Sequence, residues 1–243
     1  MIELNKIYNE ECLDGMKRID DKSVDMILCD LPYGVTACDW DKQIPSTKLW
    51  EQYNRIIKDN GAIVLFSSQP FTTDLINSNR KQFKYCWYWI KNQGTNFFHA
   101  KRMPIRKIEE ICVFYKKQPT YNMQFSEGHV PTSSAKGCSN GEIYHGTNKR
   151  NYEGGSTLRY PTNILEFKCV NNYAKQHPNE KPVELLEYLI KTYTNENEIV
   201  LDNCMGSGST AIACIYTSRQ YIGFELDENY YNITQQRILD IYK

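Results

Sequence analysis

Short apolar runs alternate with amphipathic stretches along the chain. Val24-Asp25-Met26-Ile27-Leu28-Cys29 reads as a buried strand, and Asp30-Leu31-Pro32-Tyr33-Gly34 stops it, because proline and glycine do not continue a central strand. Leu49, Trp50, Tyr53, Ile56 and Ile57 recur at helical spacing and predict a helix over 46–57, ended by Asn60-Gly61. A second buried strand is expected over 62–67 and a helix over 70–77. Aromatic-rich patterning makes 83–91 and 110–115 strand-like. The C-terminal third predicts a helix over 182–193, a strand over 199–201, a glycine turn, a helix over 209–216, a strand over 221–225 and a helix over 228–242. Near the start, 7–13 precede a short helix and turn around 14–23. Strands alternating with helices predict an α/β fold, with a mostly parallel central sheet and helices on both faces.

Residues 118–163 differ in kind. They are rich in Gly, Ser, Thr, Asn and Tyr and lack periodicity, so they are expected to form a loop-rich insertion. Residues 1–117 and 164–243 then make up one domain, a size that 243 residues accommodate.

Composition narrows the class. With 41% hydrophobic and 24% charged residues the chain is globular rather than disordered or fibrous. Its longest clean apolar run, 62–66, is far too short to cross a bilayer, so no membrane partner is expected. The first residues carry no basic stretch followed by an apolar core, so no secretion signal is expected. Nine cysteines, an odd number with no C-x-x-C pair, argue against a disulfide framework or a structural metal site; reduced thiols in a cytoplasm are the simpler expectation.

Two strand ends carry candidate chemistry. Ile199 to Thr210 reads as strand, glycine turn and helix start, with Gly206-Ser207-Gly208 at the turn. Glycines admit close approach of a ligand, and free amides at a helix start favour oxygen acceptors. Glu225 ends the next strand, where an acid can bind both hydroxyls of a ribose. A third glycine of a dinucleotide fingerprint is replaced by Ala211. Asp202, just before the turn, would repel a pyrophosphate but suits the ammonium and sulfonium of S-adenosylmethionine. A tight βα turn without a ligand fits the same glycines.

Asp30-Leu31-Pro32-Tyr33 is suited to an exocyclic amine. Such a nitrogen is a poor nucleophile because its lone pair is delocalised into the base. Two acceptors aimed at its N–H bonds, the Asp30 carboxylate and the Leu31 carbonyl held by the rigid Pro32, would localise the lone pair. Tyr33 offers a face on which an extruded base stacks. An ordinary strand-ending turn with a packed tyrosine is the competing reading.

These residues resemble the amino-methylating DNA methyltransferases, whose catalytic motif is Asp/Asn/Ser-Pro-Pro-Tyr/Phe/Trp. The order resembles the permuted β class: catalytic motif first, then His177-Pro178-Asn179-Glu180-Lys181-Pro182, similar to that class's His-Pro-x-x-Lys-Pro, then the cofactor loop at Asp202 to Thr210. Leu31 replaces the usual first proline and keeps its backbone carbonyl; Glu11 stands where the family carries an aspartate. The resemblance implies a Rossmann-like methyltransferase fold and methyl transfer from S-adenosylmethionine to adenine N6 in double-stranded DNA. Asp at the first motif position leans toward adenine; cytosine N4 is the nearest alternative, followed by an RNA or protein amine methyltransferase, an inactive DNA-binding module and, weakest, a nicotinamide-dependent oxidoreductase. Asp30, Leu31, Pro32 and Tyr33 would be catalytic. Glu11, Cys12, Asp30, Lys181, Asp202, Met205, Gly206, Ser207, Gly208, Thr210 and Glu225 would hold the cofactor. A homodimer and a cognate restriction enzyme are the further partners it suggests.

Charge distribution adds a DNA face. The chain is neutral overall, yet residues 80–118 hold ten basic residues against Glu109 and Glu110. Lys91, Asn96, Lys101, Arg102 and Arg106 are the expected DNA contacts, with Phe97-Phe98 beside them; a solvated charged face and core packing are the competing readings. The insertion, with Asn148, Lys149, Arg150, Asn151 and Arg159, would read the target sequence.

Overall fold

The computed structural model describes residues 2–34, 42–139, 148–171, 175–177 and 179–243. The chain divides into two units, Met1–Asn122 with Asn163–Lys243, and Met123–Thr162.

The first unit begins with β1 (Lys6–Tyr8), α1 (Cys12–Met16), β2 (Val24–Asp30), α2 (Ser46–Ile56), β3 (Ile57–Ser67), α3 (Phe71–Ser78), β4 (Phe83–Thr95) and β5 (Arg106–Phe114). The second unit holds β6 (Ala135–Ser139) and β7 (Asn148–Tyr152). The first unit resumes with β8 (Ile164–Phe167), α4 (Val183–Tyr193), β9 (Ile199–Asp202), α5 (Ser209–Tyr216), β10 (Gln220–Phe224) and α6 (Glu228–Ile241).

One sheet of eight strands organises the first unit, in the order β1-β10-β9-β2-β3-β5-β4-β8. All neighbours are parallel except those of β5, which runs antiparallel to both β3 and β4. The predicted α/β class with a mostly parallel sheet is what the protein adopts. β2 and β9 are adjacent, yet β9 leads through α5 to β10 on one side while β2 leads through α2 to β3 on the other. The strand order reverses between them, and a crevice opens at their carboxyl ends where ligands of open α/β sheets bind.

The two faces of the sheet pack separate cores. Met26 and Leu28 of β2, Val64 and Phe66 of β3, Trp87 and Trp89 of β4, and Ile111 and Val113 of β5 meet Leu185, Leu189 and Tyr193 of α4. Ile27, Cys29, Leu65, Cys112 and Phe114, the alternate residues, meet Leu49, Tyr53 and Ile56 of α2 on the other side. Period-two alternation in the strands and the helical repeat of α2 and α4 produce this division directly.

Some boundaries differ from expectation. The second helix stops at Ile56, and Ile57 already pairs with Val24. Asn60-Gly61 therefore lies inside β3; Gly61 is needed there because a Cβ would meet the Asp25 carbonyl oxygen at 2.7 Å. The first helix comes earlier than 14–23, starting at Cys12 because Glu11 caps it, accepting from the Asp14 amide at 3.0 Å. Pro182 caps α4 rather than opening it. β8 and a short 3₁₀ turn at Phe97–His99 were not signalled by periodicity.

Within the second unit, β6 and β7 form an antiparallel pair, and Ser126 bridges to Arg159. The Arg159 guanidinium donates to the Ser156 and Leu158 carbonyls at 3.0 and 2.9 Å and to that of Val130. The side chains of Asn148, Lys149, Arg150 and Asn151 lie outside the described residues.

Candidate active site

A cavity of about 550 Å³ lies at the carboxyl ends of β2 and β9. Asp30, Leu31, Pro32 and Tyr33 line it from the end of β2, and Asp202, Met205, Gly206, Ser207 and Thr210 from the end of β9. Segments some 170 residues apart in the chain thus share one crevice, as the motif reading requires. Glu11, Cys12, Lys181 and Glu225 line it too. Gly208 does not; it is buried in the turn at φ +84°, where a Cβ would fall on the Thr234 side chain. The volume lies in the range of nucleoside-sized ligand pockets.

The β9 half is acidic. Asp202 is buried and spends its carboxylate on the turn, accepting from Thr210 Oγ1 at 2.6 Å and from the Cys204 amide at 3.0 Å. Burial pushes it up to about 6. Glu225 accepts from the Gly206 amide at 2.6 Å and the Asp227 amide at 2.8 Å, and burial pushes it up to about 7. Neither acid has an ion-pair partner among the described residues. One buried and one half-buried carboxylate, without an ion-pair partner among the described residues, fit a ligand that brings positive charge, and the backbone turns at Gly206 with φ +56°. This donor set fits S-adenosylmethionine and would repel a phosphate.

Residues that periodicity could not flag support this half. Asn203, buried beneath the cavity, accepts from the Tyr53 hydroxyl and donates to the Cys12 and Cys204 sulfurs at 3.6 and 3.4 Å, tying β9 to α1 and α2. Arg237 of α6 donates to the Ser207 carbonyl at 2.6 Å and pairs with Glu180 at 2.8 Å. The His177 ring lies against Tyr230 with centroids 4.3 Å apart, and burial, with Lys181 adding to it, pushes the imidazole down to about 4. His177 is neutral at physiological pH. Pro178 lies outside the described residues.

The β2 half is a network around Asp30. Its Oδ1 accepts from the Tyr33 hydroxyl at 2.8 Å, and its Oδ2 accepts from Lys181 Nζ at 2.5 Å. Burial raises the Asp30 carboxyl, with Lys181 opposing. The Tyr33 ring stacks on Phe71 of α3 at 4.9 Å, so one of its faces is taken by the protein. Gly34, at φ +68°, ends the turn, and Gln43 Nε2 donates to the Tyr33 carbonyl at 2.6 Å. Lys181 is largely buried: its side chain is 11% exposed, it pairs with both Asp30 and Glu109, and it lies 5.0 Å from the Phe66 ring centroid.

Two expected DNA contacts are placed differently. Lys91 pairs with the buried Glu109 and lies 5.0 Å from the Trp89 ring centroid, so its charge is engaged inside the protein rather than held out to solvent. Arg106 donates to Ser68 Oγ, anchoring the base of the β4–β5 hairpin to the end of β3. Asn96, Lys101 and Arg102 are exposed beyond it, and Phe97 and Phe98 are 75% and 102% exposed, which excludes the core-packing reading of that pair. β4 runs parallel to β3 two places away, so the hairpin leaves the sheet at the edge where the cavity opens.

Comparison with known proteins converges on one family. The chain is 27% identical over 257 residues to the type II methyltransferase M1.MboII of Moraxella bovis, covering 96% of this chain and 95% of that one. It is 24% identical over 249 residues to the DNA adenine methyltransferase YhdJ of Escherichia coli (strain K12), covering 97% and 83%. The crystal structure of M1.HpyAVI in complex with SAM superposes with a TM-score of 0.64 at 23% identity, covering 96% and 98%, which establishes the common fold. The pattern of the DNA methylases of the N6/N4 type matches residues 24–236. That match starts on the first residue of β2 and ends inside α6, passing through both halves of the cavity, and the chain therefore belongs to the N6/N4 amino DNA methylase family, S-adenosylmethionine-dependent enzymes that methylate DNA.

Proposed function

We propose that the protein transfers a methyl group from S-adenosylmethionine to the exocyclic N6 amine of an adenine extruded from double-stranded DNA. The observation that carries this reading is the single cavity joining the Asp30 strand end to the acidic glycine turn after β9. When bound, S-adenosylmethionine supplies an electrophilic methyl group on a positively charged sulfur.

The residues divide the work by chemistry. Glu225 accepts from ribose hydroxyls, and Asp202 and Glu11 supply negative potential, a reading supported by all three lining the cavity. Met205, Gly206, Ser207 and Thr210 form the wall, Gly208 gives the turn its left-handed step, and Cys12 contributes part of the floor. Asp30 accepts a hydrogen bond from the target amine and stabilises the positive charge that grows on that nitrogen; the Leu31 carbonyl, fixed by Pro32, accepts the second. The free face of Tyr33 stacks the extruded base. Asn96, Lys101 and Arg102, with Arg106 at the root of the hairpin, hold the phosphate backbone, and the exposed Phe97 and Phe98 sit where unstacked bases need apolar contact. The unit Met123–Thr162 reads target sequence.

Adenine is favoured by Asp30 at the first position of its motif and by the similarity to YhdJ. The family also includes N4 methylation of cytosine, which the same acceptors would serve. A homodimer and a restriction enzyme of the same site are the expected partners. Supplying labelled cofactor with DNA, RNA and protein in parallel, then digesting labelled DNA to nucleosides and weighing them, tests substrate and base together: N6-methyladenine is expected, and N4-methylcytosine would replace the adenine assignment. Asp30→Ala is expected to bind cofactor but to lose turnover by at least about a hundredfold. Wild-type turnover in that variant would remove the mechanism.

A further inference from the structure

Four charged side chains meet on one face of the sheet at its carboxyl edge. Alternation carries the first core's face from Met26 and Leu28 to Asp30, from Trp87 and Trp89 to Lys91, and from Val113 and Ile111 to Glu109. Lys181, just ahead of α4, comes down over the same face. Its Nζ lies 2.5 Å from Asp30 Oδ2 and 3.0 Å from Glu109 Oε1, and Glu109 Oε2 pairs with Lys91. The cluster holds two negative and two positive groups, so it is neutral as a whole.

The two carboxylates that Lys181 touches are not equivalent. Both oxygens of Asp30 carry hydrogen bonds, one from Tyr33 and one from Lys181. Glu109 Oε1 is buried and meets Lys181 Nζ at 3.0 Å, a longer and less well aligned contact than the one at 2.5 Å to Asp30. A poorly hydrogen-bonded buried acceptor is unfavourable. Lys181 carries three N–H donors on a flexible stem, so a short swing of Nζ away from Asp30 strengthens its hydrogen bond to Glu109 and opens Oδ2.

We propose that Lys181 is a two-position latch, with Glu109 and Lys91 as positioning residues: Lys181 holds Asp30 Oδ2 while the site waits, and turns its hydrogen bond to Glu109 Oε1 when a target amine takes Oδ2. The inference rests on the proposed methyl transfer to an exocyclic amine. At rest the ammonium masks the Asp30 charge that the reaction needs. After the turn that charge faces the nitrogen on which positive charge develops. Lys91 keeps Glu109 in place and ionised; burial works against the Glu109 carboxylate, but Lys181 and Lys91 hold it below its ordinary value. No proton moves in the switch, and all four groups keep their charges.

Glu109→Gln removes the second position at constant size. Its expected signature is a kcat lower by 10- to 100-fold with KM for DNA and cofactor affinity changed less than threefold. Lys91 loses its partner in that variant, so Glu109→Gln combined with Lys91→Met restores neutrality and is expected to show the same kcat loss. Glu109→Asp keeps the charge and is expected to recover part of the rate. The pH profile separates positioning from general support of the fold. The groups around Asp30 are Tyr33, Lys181, Glu109, Cys29 and Asp202, and His177 lies near Lys181. Without Glu109 the ammonium acts on Asp30 alone, so the acid limb of kcat moves to lower pH while the plateau falls. Full wild-type kcat in both Gln variants, or a lower plateau with an unmoved acid limb, overturns the latch. A wild-type protein that methylates no nucleic acid overturns the proposed function itself, so the two failures are distinguishable.

Discussion

Cofactor affinity should rise steeply with pH through neutrality. Burial holds Asp202 at about 6 and Glu225 at about 7, and neither is balanced by a cation among the described residues. A cationic ligand favours the ionised carboxylates, so binding has to remove whatever protons they carry. At about pH 5.5 a group titrating near 7 is only about 3% ionised, a penalty of roughly thirtyfold, and one titrating near 6 adds about fourfold. Together the dissociation constant should tighten by about a hundredfold between about pH 5.5 and about pH 8, equivalent to roughly 3 kcal/mol. The sign for the unliganded fold is opposite. A carboxyl raised in the folded state stabilises that state below its ordinary value, 3.8 for Asp202 and 4.5 for Glu225, and the contribution is lost as pH rises through about 6 and about 7. Titration calorimetry with S-adenosylmethionine across this range measures the slope. S-adenosylhomocysteine lacks the sulfonium charge and should give a shallower one. Glu225→Gln should flatten the segment nearest neutrality. A dissociation constant that stays within threefold across the range, or a slope identical in Glu225→Gln, would refute the assignment of these acids to a positively charged ligand.

Two further outcomes test the frame of the site and its DNA face. Gly208 sits at φ +84° against Thr234, so Gly208→Ala should cost about 2–4 kcal/mol through left-handed strain and overlap, lowering the melting temperature by roughly 5–15 °C. An unchanged melting curve would mean that the turn is not built as described. Lys101→Ala with Arg102→Ala should reduce the salt dependence of DNA binding by a slope of about 2, roughly 0.9 per phosphate contact released. A parallel shift with the slope intact would place the phosphate contacts elsewhere.

The chain's one-dimensional pattern already fixed much of this molecule. Alternation and helical spacing placed most strands and helices of the first unit, and the acidic and glycine-rich strand ends marked both halves of the cavity. These signals are local: they depend on which side chains face the same way within one element. The same locality leaves the partners of a charge open. Lys91 stands in a run of basic residues that resembles a phosphate footprint, yet it continues the Trp87 and Trp89 face of β4 and pairs inward. Glu109 stands in the same basic stretch, yet it shares a face with Ile111 and Val113.

Tertiary structure decided what those faces meet. Alternation says that Asp30, Lys91 and Glu109 point to a given side of their own strands, but not that β2, β3, β5 and β4 lie side by side in that order. Only the long-range register, Phe66 opposite Ile111 and Trp89 opposite Glu109, brings their ends level. Only the packing of α4 lowers Lys181 between them. Likewise, Asp30 and Asp202 share a cavity because β2 and β9 are neighbours whose connections leave in opposite directions. Strand order is set by burial summed over the whole sheet, a property no segment carries alone.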